Sequence, residues 1–421
     1  MISKIKNIKG THDLLPVDTF KWESVEKQIH SLIKNYGYGE IRTPAFEETG
    51  LFIRGVGKDT DVVSKEMYSW KDQGNNNLTL KPELTAPVVR SFIQHNLGRL
   101  QPINRLYYID ALFRRERPQK GRQRQFHQFG VEAFGSENPE IDVEVISVAY
   151  NIYKSFGIDG MVVKINSIGS PNVRPKYLKE LRVYLKPFSK RLCKTCNHRL
   201  DTNALRIFDC KNQNCQELLD EHAPLISDFL SDDDKKHFEK VLQLLDHLGI
   251  PYLLDFKLVR GLDYYTRTTF EITSSELGSQ DALCGGGRYD NLVEQLGGEP
   301  TPAVGFAAGM ERLLIVLEES LQDLRKSIDI YIVILGERAL PEALKIAHNL
   351  REKLNLTVVT EPSQRGVKAQ MKEANRQNAK FAVIIGENEI KSKFVAIKDM
   401  TKGEQVEVKI TSILHYFSNL N

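Results

Sequence analysis

No run of 18 apolar residues occurs in the 421-residue chain, and its first stretch, MISKIKNIKGTHDLLP, holds no apolar segment long enough for a signal peptide. A membrane-spanning helix is therefore not expected, and a cytoplasmic location is. Cysteine is scarce. There are five, four of them crowded into one segment, which suits no disulfide framework in a chain of this size. Net charge is only +3, from 58 Lys+Arg against 55 Asp+Glu, so any nucleic-acid contact must come from local clusters. Internal repeats and low-complexity tracts are absent. The triple glycine in CGGGRYDNL (284–292) is followed by no Gly-Lys-Ser/Thr and matches no dinucleotide fingerprint, which excludes a P-loop or a Rossmann turn there.

With 41% hydrophobic and 27% charged residues, the chain reads as globular, and its length suggests two or three domains. Apolar residues at helical spacing predict helices over about 18–36 (Trp22, Val25, Ile29, Leu32, Ile33) and 141–156 (Ile141, Val145, Val148, Ile152, Phe156), each closed by a glycine. Between them, and again over 255–290, short alternating aromatic and β-branched segments predict an antiparallel sheet with helices packed on it. From about 328 strand and helix alternate at βαβ spacing: DIYIVIL, a helix over 341–354, LTVVT, a helix over 365–377, FAVIIG, FVAIKD and EQVEVKI. Residues 328–421 thus read as a separate small α/β domain, joined through a polar linker at 318–327.

Several segments could carry chemistry. In RQFHQFGVEAFG (124–135), alternation puts Phe126, Gln128, Gly130, Glu132 and Phe134 on one face and His127, Phe129, Val131 and Ala133 on the other. An amide and a carboxylate flanking a glycine suit a pocket floor, the glycine making room for a ligand; the alternative is an edge strand with a wet face. His127 points the other way, as a packed histidine. LVRGLDYYTRTTFEI (258–272) offers an arginine able to grip phosphate or carboxylate beside two tyrosines, or else a hairpin strand with aromatic pairs. The three glycines of 284–292 would let a flat ligand lie against backbone. TPAVGFAAGMERLLIVL (301–317) runs a strand into a helix with Arg312 near its start, a place suited to anions or to simple solvation.

FRRERPQKGRQRQFHQ (113–128) holds six basic residues against one acid. Cys193, Cys196, Cys210 and Cys215 form two pairs 13 residues apart, a spacing suited to structural zinc, with His198 as a substitute ligand; the alternative is free thiols in a variable insertion. Arg365, Lys368, Lys372 and Arg376 share one helix face, either solvated or placed for an RNA backbone.

Together and in this order, these segments resemble the class II aminoacyl-tRNA synthetases, and within them the histidine-specific family, over nearly the whole chain. KGTHDLLP (9–16) is similar to the family's N-terminal signature, and IRTPAFE (41–47) to motif 1, whose proline, Pro44, lies at a dimer interface. FRRERPQKGRQRQFHQFGVEAFG (113–135) looks like motif 2, VGFAAGMERL (304–313) like motif 3, and LVRGLDYYTR and GGGRYD like the two signatures peculiar to the histidine enzymes. The resemblance implies an α+β fold: a class II catalytic domain over 1–325, its antiparallel six-stranded sheet flanked by helices and interrupted by an insertion at about 170–250. A small α/β anticodon-binding domain over 328–421 would follow, in a homodimer.

The implied activity is ligation of L-histidine to tRNA(His) through a histidyl-adenylate, with ATP and Mg2+ as substrate and release of AMP and pyrophosphate. By the family pattern Arg114 and Arg260 are the catalytic residues, Arg114 bridging the histidine carboxylate and α-phosphate and Arg260 meeting the α-phosphate from the other side. Arg312 would hold the triphosphate tail and Phe126 would stack on adenine. Glu116 and the remaining motif 2 basics, Arg122 among them, would position ATP. Glu132 and Tyr265 would read the imidazole, with Tyr264 and Tyr289 beside them, while Glu83, Thr85 and Gln128 would hold the ammonium and orient the substrate. Leu84 departs from the glycine common in relatives, which bears on pocket width. No protein ligand for magnesium follows from the pattern, and the resemblance neither requires nor excludes zinc. Two rivals are a non-catalytic regulatory subunit of ATP phosphoribosyltransferase, which usually lacks the C-terminal domain, and an RNA-binding protein without activation chemistry, which leaves Gln128, Glu132 and the tyrosines unexplained.

Overall fold

Strand-forming residues in the N-terminal three quarters of the chain assemble one large sheet. The computed structural model describes residues 4–119, 121–275, 282–321, 327–362 and 365–420. Lys120 of the basic segment and part of the expected linker lie outside them. The chain divides into two compact units, Met1–Leu14 with Trp22–Glu319, and Leu15–Lys21 with Ser320–Asn421.

In the first unit the strands are β1 Gly39–Glu40, β2 Phe46–Glu48, β3 Ser69–Lys71, β4 Asn77–Leu80, β5 Asn104–Phe113, β6 Gln125–Phe134, β7 Met161–Ser167, β8 Tyr252–Leu254, β9 Thr266–Ser274, β10 Ala282–Arg288 and β11 Ala303–Gly309. The large sheet runs β1-β5-β6-β11-β10-β9-β7-β8. Its six inner strands pair antiparallel throughout. A short parallel strand is added at each end, β1 on β5 and β8 on β7, so the expected six-stranded sheet is the centre of a mixed eight-stranded one. Strands β2, β4 and β3 make a separate small sheet.

The long helix Pro16–Asn35 buries Trp22, Val25, Ile29 and Ile33 at spacings of three and four, and Gly37, at φ +79°, makes the turn after it. Helix Pro139–Ser155 starts on a proline with Glu140 and Asp142 in its first turn, where the helix dipole favours negative charge. Asp142 has a second task. It meets the fully buried Arg288 of the GGGRYD segment, whose Nε lies 2.8 Å from its Oδ2 and whose Nη1 reaches Asp290 at 2.8 Å. Burial lifts the Asp142 carboxyl to about 6 even against that cation. Arg288 is thus a staple between helix and sheet.

The insertion contributes helices Arg174–Leu185, Lys194–Thr202, Gln213–His222 and Asp232–Leu248. Its apolar residues join those of the sheet in one buried cluster that includes Cys196, Cys215, Tyr264, Tyr265 and Tyr289.

The second unit holds β12 Ile328–Leu335, β13 Val358–Thr360, β14 Ala379–Gly386, β15 Phe394–Asp399 and β16 Gln405–Lys409, ordered β13-β12-β14-β15-β16. The first three are mutually parallel, connected through helices Leu340–Leu354 and Val367–Arg376, and the last two run antiparallel. The expected four-residue basic face is smaller than its spacing suggested. Arg365 precedes the helix and pairs with buried Glu361 at 2.6 Å, and Arg376 pairs with Glu373 at 2.6 Å, leaving Lys368 and Lys372 as its exposed lysines.

Candidate active site

The floor of the site is β6. It lies between β5 and β11 and is not an edge strand. Phe126, Gln128 and Glu132 face a cavity of about 550 Å3, inside the roughly 300–1,000 Å3 usual for small-molecule sites. His127 faces elsewhere, edge-on to the Trp22 ring with its Nδ1 3.0 Å from Glu311.

Glu132, 1% exposed, is the most enclosed acid of the cavity. Its Oε1 accepts from Thr85 Oγ1 at 2.8 Å and from Tyr108 OH at 3.1 Å, and its Oε2 accepts a short hydrogen bond from Tyr289 OH. Burial pushes its carboxyl up to about 8 in spite of those donors. Two glycines make this packing possible. A Cβ on Gly305 would collide with Glu132 Oε2, and one on Gly130 would meet Tyr108 OH at 2.7 Å and the Phe306 carbonyl. Gly130 therefore makes room for Tyr108 and backbone, where the sequence suggested room for a ligand.

Glu83 sits at the start of helix Thr85–Gln94 and accepts from the backbone N–H groups of Thr85 and Ala86, each at 2.9 Å. Burial lifts it to about 7. The neighbouring Lys81, itself buried, donates to Asp110 at 2.5 Å and to the Thr43 carbonyl at 3.1 Å, tying this turn to β5 and to the IRTPAFE segment. Leu84 and Thr85 complete this wall, and Tyr264, Tyr265 and Tyr289 close the next, the Tyr264 ring lying 4.7 Å from that of Tyr265 and 5.5 Å from that of Tyr289.

The cations enter from three directions. Arg114 follows β5, with Nε bonded to the Pro82 carbonyl at 2.8 Å and its guanidinium 5.2 Å from the centre of the Phe126 ring. Arg260 comes from the loop before β9 and pairs with Glu271 at 2.8 Å. Arg312 lines the cavity from the first turn of the short helix Met310–Val316. Arg122 and Glu116, 3.4 Å apart, stand at its rim. Every site residue expected from the sequence lines this one cavity. The glycines of β10 differ from expectation in their reason: a Cβ on Gly285 would overlap the Arg260 guanidinium, and one on Gly286 would strike β11 backbone. They clear space for an arginine and for strand packing.

Sequence reading missed Tyr108, Arg206, Asp61 and Glu66. Tyr108 could have been found only through register, because β5 sets it directly opposite Gly130. Glu66 lines the cavity from the one-turn segment Val62–Glu66, its carboxyl raised by burial and then by the nearby negative charge of Glu116. Gly10, at φ +90°, presents its carbonyl to Arg124 N at 2.7 Å, so the KGTHDLLP segment braces the basic hairpin.

A raised carboxyl has a stability consequence. The folded state holds the Glu132 proton more tightly than the unfolded chain does, so this contribution is intact below pH 4.5 and fades as pH rises through about 8. Glu132→Gln should gain thermal stability over the unsubstituted chain at pH 8, on the order of 1–2 kcal/mol, and much less at pH 5. Melting curves at the two pH values check it; an equal difference at both rejects the raised carboxyl.

Away from the cavity, the thiols of Cys193, Cys196, Cys210 and Cys215 lie within 4.8 Å of one another, the metal-suited cluster found among the described residues.

An antiparallel six-stranded centre, a motif 2 hairpin delivering Arg114 and Phe126, and a motif 3 strand and helix delivering Arg312 define the class II aminoacyl-tRNA synthetase fold. A family model described as histidyl-tRNA synthetase matches residues 10–313, and one described as anticodon binding domain matches 329–420. Proteins named histidine–tRNA ligase from Natranaerobius thermophilus and Halothermothrix orenii are 46% and 47% identical, over 96% and 99% of this chain and the same shares of theirs. The crystal structure of apo histidyl-tRNA synthetase from S. aureus superposes with a TM-score of 0.83 at 40% identity, covering 98% of this chain and 100% of that one. The chain belongs to the histidyl-tRNA synthetase family. A structure titled as an ATP phosphoribosyltransferase regulatory subunit/histidyl-tRNA synthetase from Bacillus halodurans, at 23% identity and a TM-score of 0.66, shares the fold. Among the described residues no helix is long and apolar enough to cross a membrane.

Proposed function

We propose that this protein activates L-histidine with ATP and transfers it to tRNA(His), acting as a histidine–tRNA ligase. The observation that carries the reading is a buried acid, Glu132, aimed into the same cavity as Arg114, Arg260 and Arg312, in a chain matched end to end by proteins of that name.

Activation brings two anions together, the amino-acid carboxylate and the α-phosphate, and charge grows on the phosphoryl oxygens as pyrophosphate departs. Arg114, anchored on the Pro82 carbonyl, would bridge the two, and Arg260, held by Glu271 over Gly285, would face the α-phosphate from the other side. Arg312 would take the triphosphate tail, and Phe126 would offer its ring to adenine. Glu116 would fix Arg122 at the rim. Glu132 and Tyr265 would read the imidazole, with Tyr264 and Tyr289 shaping its slot. Glu83, Thr85 and Gln128 would receive the ammonium, the free lone pairs of Glu83 remaining after its two backbone bonds. ATP enters as its Mg2+ complex.

The catalytic domain spans 1–325 with its insertion at about 170–250, and 328–421 binds the anticodon. The four thiolates hold a structural zinc ion, sulfur donors of suitable number and spacing. The protein works in the cytoplasm as a homodimer joined near Pro44, where Phe46 and Trp70 lie half-exposed with rings 5.9 Å apart.

The decisive experiment is histidine-dependent exchange of pyrophosphate into ATP by the purified chain. Folded protein showing no exchange with any amino acid would sink the enzyme reading. Removal of 328–421 should leave that exchange within about threefold while cutting tRNA charging by 100-fold or more, on the order of the affinity lost with several phosphate contacts; equal loss of both would reject the anticodon assignment.

A further inference from the structure

We infer that the zinc-held thiolate knot of the insertion is a buttress for the tyrosine loop of the histidine pocket, so that metal occupancy sets how well the amino acid binds. The inference rests on the histidine and zinc readings and adds a link between the two sites.

The four sulfurs lie within 4.8 Å of one another, a spacing that suits a four-sulfur metal site. Cys193 Sγ lies 3.8 Å from Cys210 Sγ, and four sulfurs about 2.3 Å from one zinc ion stand about 3.8 Å apart. Backbone N–H groups point at three of the sulfurs: Cys196 N at Cys193 Sγ (3.4 Å), Asn212 N at Cys210 Sγ (3.4 Å) and Cys193 N at Cys215 Sγ (3.2 Å). Such donors support negative charge on a metal-bound thiolate and fix its direction.

From the knot a rigid element leads toward the pocket. Cys193 caps helix Lys194–Thr202, and the chain leaves that helix at Asn203. Asn203 Nδ2 donates to Asp263 Oδ1 at 2.6 Å, and Asp263 immediately precedes Tyr264 and Tyr265. Arg199 of the same helix donates to the Arg206 carbonyl at 2.8 Å, and Arg206, on the cavity wall, pairs with Asp61 at 3.4 Å. Gly57 admits the Asp263 carboxylate where any side chain would overlap it, so the loop has one seat. Released from the metal, the two cysteine segments lose their common anchor, the helix is free to shift, and Asn203 no longer fixes Asp263. Asn203 is a positioning residue: it reaches the substrate only through the loop.

The test uses the full chain. Elemental analysis should find about one zinc per chain. Zinc removal by a chelator, and separately Cys210→Ser, should raise the KM for histidine in pyrophosphate exchange about tenfold while leaving kcat and the KM for ATP within about twofold. Asn203→Ala, which keeps all four thiolates and should keep the zinc, is expected to raise the same KM by a similar factor. Protein without zinc overturns the metal reading and leaves the histidine reading standing. A zinc-bound enzyme whose histidine KM is unmoved by both metal removal and Asn203→Ala overturns the link. Should the stripped or Cys210→Ser chain unfold, Asn203→Ala decides alone, an unchanged KM rejecting the proposal.

Discussion

Glu132→Ala is expected to lower kcat/KM for histidine in pyrophosphate exchange by about 10^4-fold or more. The size follows from burial. The carboxyl is enclosed by Thr85, Tyr108 and Tyr289, with solvent reduced to 1% of its surface. Truncation removes the group proposed to meet an imidazole N–H and also leaves three hydroxyls aimed at an empty space, and buried donors without acceptors each cost about 1–3 kcal/mol. Selectivity should collapse in parallel, because a hole of alanine size rejects nothing by hydrogen bonding. Exchange kinetics with histidine and with other amino acids measure both effects; activity within tenfold of the unsubstituted enzyme would remove Glu132 from the recognition site.

Arg260→Ala should cut kcat by about 10^2- to 10^3-fold with a smaller change in the KM for histidine, the pattern of a group that meets charge developing in the transition state. Arg260 is suited to that part because its position is set in advance. Glu271 takes one side of the guanidinium at 2.8 Å, and the bare backbone of Gly285 lies under it. Lysine at this position would keep the charge and lose the planar fork, so Arg260→Lys should recover only part of the rate. A change confined to KM would make Arg260 a ground-state binding residue instead.

The buried acid imposes a trade. Glu132 raised to about 8 and Glu83 to about 7 are both held against burial, and each sits where substrate contact is proposed. The stability that Glu132→Gln should recover at pH 8 is the counterpart of the activity it should lose, as is common where sites are built from strained or desolvated groups.

Local pattern carried a good part of this protein. The period-two alternation of 124–135 identified Phe126, Gln128 and Glu132 as neighbours on one face, and the βαβ rhythm beyond 328 marked out the second unit. Both are properties of adjacent residues, set by strand and helix periodicity alone. The motif order supplied the family. What those patterns left ambiguous were arginines: Arg260 and Arg288 each stand in a glycine-rich segment, yet one lines the cavity and the other is fully buried on Asp142. Their difference depends on partners 11 and 146 residues away, which no local pattern records.

By itself, then, sequence periodicity marked out the long helices, the pocket-facing side of 124–135 and the strand–helix alternation beyond 328, while the proposed site roles came from the family resemblance and Tyr108, Arg206, Asp61 and Glu66 escaped it. Tertiary structure alone decided that Gly130 and Gly305 accommodate Tyr108 and Glu132, and that four cysteines from two segments meet. Each of these is a contact made across strand register or between separated segments, and such distances exist only once the chain has folded.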